Sequence, residues 1–260
     1  MNTVKYLKTF ALLAATLLIA SCAEEAITQQ DNGKSNQQEP NTKGLTAFVV
    51  EENDTKTRTT AEYFDNGGLN RGLHYYWTAG DRLWVNNGGT LIQDASNTIA
   101  SKLENNPTNP TAVKRAATAK FYFSGTYTAN NYNVRYTGAS NLGNKVDFSV
   151  VQNQPIPNDA SHLNICGDCG TAVAIKVGGR YQFTLEHKAS YLTFIPYSTQ
   201  EIVREGVITA IQIKADKAIT GRFDFNDNGV VLSSRPAANS STTAIYLKLN
   251  NFEIPVSPDP

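Results

Sequence analysis

The chain of 260 residues carries 23 basic and 23 acidic side chains, so it has no net positive field with which to hold a nucleic-acid backbone. Its hydrophobic content of 40%, with 12 Tyr and 11 Phe against one Met, supplies a core of sheet-favouring residues. Three cysteines are too few for a disulfide framework, which leaves burial to hold the fold together.

At the N-terminus, Lys5 and Lys8 precede an apolar run over residues 10–20, with the small residues Ala20 and Ser21 just before Cys22. Positive head, apolar body and small-residue exit are the parts of an export signal. Polar Ser21, Glu24 and Glu25 end the run short of the roughly 20 apolar residues that a spanning helix needs. The segment Ile19-Ala20-Ser21-Cys22 resembles the lipobox of a bacterial lipoprotein. That resemblance implies a signal peptide over 1–21, a diacylglycerol on Cys22 and a mature chain anchored in the outer membrane through it. Without Lys5 and Lys8 the balance becomes 21 basic against 23 acidic residues. Acid at Glu24 and Glu25 resembles the tag that sends such lipoproteins to the outer face of the outer membrane.

Residues 22–43 are almost wholly polar and cannot bury enough surface to fold, so they read as a disordered tether. The first strand is expected over residues 45–50, Leu-Thr-Ala-Phe-Val-Val, followed by a polar loop over 51–60 that a trypsin-like protease can reach, with Arg58 inside it. Period-two alternation then recurs at Phe121, Phe123 and Tyr127, at Tyr132, Val134 and Tyr136, and at Val146, Phe148 and Val150. Asn86-Asn87-Gly88-Gly89, Asn130-Asn131 and Gly178-Gly179 are turn chemistry between such runs and predict hairpins. Residues 96–104 are the one stretch with helical potential, interrupted downstream by Pro107 and Pro110. Further strands are expected at 191–196, 207–214, 219–225, 230–233 and 244–249. Many short strands separated by turns argue for antiparallel sandwiches. The expected division is a sandwich over 44–180 and a smaller one over 181–260.

Catalytic patterns are scarce. His74, His162 and His187 are the only histidines, and no zinc-protease helix motif, nucleophile elbow or phosphate-cradling loop occurs. No catalytic residue, metal ligand or cofactor site is nominated, and the chain reads as a non-enzyme. His162, Cys166 and Cys169 carry zinc-type donors but lack a fourth ligand, and outside the cytoplasm Cys166 and Cys169 either form a local disulfide or stay free. Residues 224–229 match the front half of a calcium loop, yet Arg235 stands where a closing glutamate belongs, and a hairpin turn accounts for Asn228-Gly229. Tyr75, Tyr76, Trp77 and Trp84 are either core or a sugar-stacking platform. With Leu83 and Val85 facing in, Trp84 faces out and becomes the candidate for glycan binding.

The order of these features resembles the fimbrillin-like surface lipoproteins. Trp77-Thr78-Ala79-Gly80-Asp81-Arg82-Leu83-Trp84-Val85 is similar to that family's Trp-x-x-Gly-Asp-x-Ile-x-Val signature, and residues 146–154 and 183–194 resemble its later strands. The resemblance covers residues 45–249 and implies two transthyretin-like sandwiches in tandem, the second short or incomplete. It also implies a role as a fimbrial or adhesin subunit, with cleavage after Arg58 releasing the first strand and the vacated groove receiving a strand from another subunit. The partners implied are outer-membrane lipid through Cys22, other fimbrial subunits and surface ligands. From another class of function, a glycan-binding lipoprotein of a nutrient-uptake system would use Trp84 or the Tyr75–Trp77 cluster.

Overall fold

Period-two patterning between turn residues produces short strands along the whole of the described chain, which in this computed structural model comprises residues 41–50, 60–64, 72–107, 111–138, 140 and 142–257. The N-terminal part supplies β1 (Thr46–Val50), β2 (Thr60–Phe64), β3 (Gly72–Thr78), β4 (Trp84–Asn87), β5 (Thr90–Gln93), β6 (Ser96–Asn97), β7 (Arg115–Ala116), β8 (Lys120–Phe123) and β9 (Asn131–Tyr136). The middle supplies β10 (Lys145–Phe148), β11 (Val151–Gln154), β12 (Asp159–Ala160), β13 (Gly170–Val177), β14 (Arg180–Phe183) and β15 (Glu186–His187). β16 (Val207–Lys214), β17 (Gly221–Asn226), β18 (Gly229–Val231) and β19 (Ala244–Glu253) complete the set. Among the described residues, α-helix is confined to the four-residue turns α1 (Leu163–Cys166) and α2 (Glu201–Arg204). The fold is an all-β sandwich architecture, as composition and alternation predict.

The largest sheet runs in the order β5-β4-β9-β13-β14-β1-β8-β6, with β15 attached to β13. Against it packs a four-stranded sheet, β12-β2-β3-β7, which sends Trp77 into the shared core at 0% exposure. That core is aromatic. Phe48 stacks on Tyr181 with ring centroids 4.7 Å apart and meets Phe123 edge-on at 4.9 Å, geometries in which the ring quadrupoles attract beyond simple burial. Two three-stranded sheets, β10-β17-β18 and β11-β19-β16, form the remainder.

Local turn chemistry sets two of the expected hairpins. β4 and β5 pair with Asn87 opposite Thr90, and the Gly88-Gly89 loop takes φ of 63° and 92°, which only a residue without Cβ adopts freely. β13 and β14 pair across Gly178-Gly179 as predicted. The third expected hairpin, across Asn130-Asn131, does not form: β8 pairs with β1 and β6, while β9 pairs with β13 and β4. Two strand pairs are parallel, β1 with β14 and β11 with β19, where antiparallel sheets were expected.

The expected helix over 96–104 is instead the two-residue β6 followed by a 3-10 turn, Ala100–Lys102. Pairing of Ser96 and Asn97 with β8, and a bond from Ile99 N–H to Asn97 Oδ1 at 3.2 Å, claim the backbone that a helix would need. The expected strand at 191–196 is also absent: this segment belongs to no strand or helix. Nor does a division between residues 180 and 181 separate the sheets. β14 and β15 lie in the N-terminal sheet, whereas β10 and β11 pair with β17 and β19 far along the chain.

Candidate functional site

The strongest candidate is the slot that β1 fills. This strand lies inside the large sheet, with Phe48 opposite Tyr181 of β14 on one side and Phe121 of β8 on the other. Alternation turns Phe48 and Val50 inward, at 0% and 2% exposure. Removing β1 would uncover the facing backbone groups of β8 and β14 together with an apolar trough. Unpaired sheet edges beside an apolar trough are what an incoming strand satisfies. Cys22 and Arg58, the expected lipid site and cleavage site, lie outside the described residues.

The Trp77–Val85 segment forms the corner beside this core. Asp81 is 3% exposed; its Oδ2 accepts the Thr78 backbone N–H at 2.7 Å and its Oδ1 accepts the Tyr136 hydroxyl at 2.9 Å. The Asp81 carboxylate therefore closes, from the buried side, a turn whose Ala79 and Gly80 are exposed. Leu83 and Val85 face in at 0% exposure, as the alternation predicts.

Trp84 is half-buried, and Gly143 lies against its indole. A Cβ on Gly143 would stand 2.6 Å from Trp84 Cδ2. The neighbouring aromatics do not make a platform. Tyr75 and Trp77 point into two different buried clusters, and the Arg115 guanidinium covers Tyr76 at 3.8 Å.

Cys166 and Cys169 are free thiols, both buried, in different surroundings. Cys166 ends α1 and lies 4.0 Å from the Val151 carbonyl, while Cys169 packs with Val146, Phe223 and Phe225. The possible disulfide is thus not formed. Burial pushes both thiols up from their ordinary pKa, the Asp168 charge adding to the effect at Cys169, so both stay protonated. His162 precedes α1, and burial pushes its imidazole down toward the neutral form against the opposing pull of Asp159. Among the described residues, no group of three or more His, Cys, Asp or Glu side chains is placed to hold a metal ion.

The calcium-like segment is a hairpin. Asp227 and Asn228 form the two-residue loop between β17 and β18. Asp227 Oδ1 takes the Arg135 Nε, and its Oδ2 accepts Asn86 and Asn133 side-chain amides at 2.8 and 3.0 Å. Partial burial works against ionisation, but the bonds from Arg135 and Asn86, with the Arg135 charge and Asn133, outweigh it and hold the carboxyl below its ordinary value. The loop is a latch from the C-terminal hairpin onto β4 and β9.

Two features escape a reading of the sequence. One is a buried cluster: Asp168 Oδ1 lies 2.8 Å from His187 Nδ1 and accepts the Tyr191 hydroxyl, while Tyr75 stacks on His187 at 4.0 Å. Burial and then the Asp168 charge push the Tyr75 and Tyr191 phenols well above their ordinary range. This carboxylate fastens the segment after β15 to the corner that follows α1. The other is a cavity of about 1120 Å³ lined by β16, β19 and residues 188–196 and, from earlier in the chain, by Tyr63, Leu73 and Phe148. The only local hints were His187 and Tyr191 four apart and the alternation of β16 and β19. Nothing local says what these residues meet.

Compared with known protein families, with characterised proteins and with solved structures, the chain gives no match. No helix among the described residues is long and apolar enough to cross a membrane.

Proposed function

We propose that this chain is the lipid-anchored precursor of a subunit of a surface fimbria or adhesive fibre, in which release of β1 opens a groove for a strand of the next subunit. The supporting observation is the place of β1: a five-residue strand, bonded on both sides, that carries Phe48 into an aromatic core and is joined to β2 through the polar segment containing Arg58. Cutting that segment leaves only non-covalent contacts to retain the strand. Before the cut, Cys22 holds the lipid in the outer membrane and the tether carries the folded body outward; after it, the body stays there only while β1 remains in place. The partners are other subunits of the fibre and surface ligands, and the role is structural, without catalysis.

The test is limited trypsin treatment of the purified full chain, followed by electrophoresis of unboiled samples. The expected result is a ladder of multimers that Arg58→Ala abolishes. A chain cleanly freed of residues 45–50 that remains monomeric would refute the reading.

A further inference from the structure

Two exposed apolar patches lie in different sheets and are ringed by opposite charge. The first is on the outer face of the large sheet, where alternation along β13 turns Val173, Ile175 and Val177 away from the aromatic core, at 47% to 58% exposure. Solvated sheet faces ordinarily carry polar side chains, and β13 breaks that rule at three successive outward positions. Arg180 of β14 stands directly opposite Val177 and so shares its face, and Lys176 lies at the same hairpin end. Both cations are exposed, and neither pairs with a carboxylate among the described residues. The second patch is at the end of the C-terminal sheet where Val207 of β16 pairs with Glu253 of β19. A bond from Ser198 N–H to the Pro255 carbonyl at 2.9 Å draws the stretch before α2 to this end, and one from Gly206 N–H to the Val203 carbonyl at 3.3 Å joins α2 to β16. Gathered here are Ile202, Val203, Val207 and Val256, each at least 45% exposed. Glu201, Glu205 and Glu253 stand among them against Arg204, all exposed and in no ion pair among the described residues.

We propose that these two patches meet between copies of this chain, the acidic patch around α2 of one copy docking on the outer face of β13 and β14 of the next. The choice of a second copy follows from the charges. Glu201, Glu205 and Glu253 facing Lys176 and Arg180 attract and set the register around two apolar centres, whereas either patch against its own kind would bring like charges together. Burial of Ile202, Val203 and Val207 against Val173, Ile175 and Val177 then supplies the non-directional part of the contact. Because the patches differ, the contact is heterologous and repeats from copy to copy. It needs neither cleavage at Arg58 nor removal of β1, so it stands or falls apart from strand replacement.

Sedimentation velocity of the intact, uncut chain at low ionic strength tests it. The wild type is expected to associate reversibly as its concentration rises. Reversing one patch, by Lys176→Glu with Arg180→Glu in one variant or by Glu201→Lys with Glu205→Lys in another, is expected to weaken that association about tenfold or more. Mixing the two variants is expected to restore it, since each reversed patch then meets one of opposite sign. All four positions are exposed, so the variants keep the fold. Ile175→Thr, which removes apolar area without changing charge, is expected to weaken the association about threefold or more. A wild type that stays monomeric overturns the proposal. So do reversed variants that associate as the wild type does, the result expected if the N-terminal region they all share holds the copies together. A mixture of the two reversed variants that does not recover overturns it as well.

Discussion

Asp227 joins parts of the chain that are remote in sequence, since its carboxylate takes bonds from Arg135, Asn86 and Asn133. Arg135 is 9% exposed at its side chain, so loss of the partner leaves a nearly buried cation. Asp227→Asn is expected to lower stability by about 3 kcal/mol, read from the urea midpoint at pH 7. Because the folded carboxyl is held below the ordinary 3.8, its contribution is complete above that value and is lost as pH falls from 3.8 through the lower folded pKa. The wild-type and Asp227→Asn stability curves should therefore converge in acid; a constant gap down to pH 2 would assign the effect to packing. Cys166 and Cys169 give another prediction at this scale. Their protonated, buried thiols should resist maleimide in the native protein and take up two labels after unfolding. An intact mass lower by two hydrogens, with no labelling in denaturant, would mean that they are bridged.

At the level of the element, legibility follows how local the cause is. Gly88-Gly89 and Gly178-Gly179 announce their hairpins because positive φ is required within the turn itself. Leu83 and Val85 facing inward follow equally from alternation. The covering of Trp84 could not be read, since Gly143 reaches it from a distant loop. The same limit hid the parallel pairing of β1 with β14, which brings together residues that have no neighbour in common along the chain. It also explains why residues 191–196 have strand composition without forming a strand: composition supplies the propensity, and a partner must supply the bonds. For β1 the deciding side chain is Phe48. Phe48→Ala removes a ring that meets Phe123, Tyr127 and Tyr181, and is expected to cost about 3–5 kcal/mol in urea unfolding. A change below about 1 kcal/mol would mean that the ring is not what retains the strand.

Across the whole molecule, the all-β class was legible from composition, whereas the division of the chain was not. Strands β10 and β11 serve the C-terminal sheets while β14 and β15 serve the N-terminal one, so the two halves are threaded through each other in sequence. The Asp227 latch adds a side-chain tie between them. In this architecture one short N-terminal strand can leave without breaking the latch or the C-terminal sheets, because none of them includes β1. Replacement of β1 by a strand of the next subunit is the centre of the proposed function, and hydrogen exchange at residues 120–123 and 180–183 reads it directly. Those amides should be protected in the intact chain, exchange rapidly once the chain is cut at Arg58 and the strand removed, and become protected again in the multimer. Amides that stay exposed in the multimer would show that another surface joins the subunits and would contradict strand exchange.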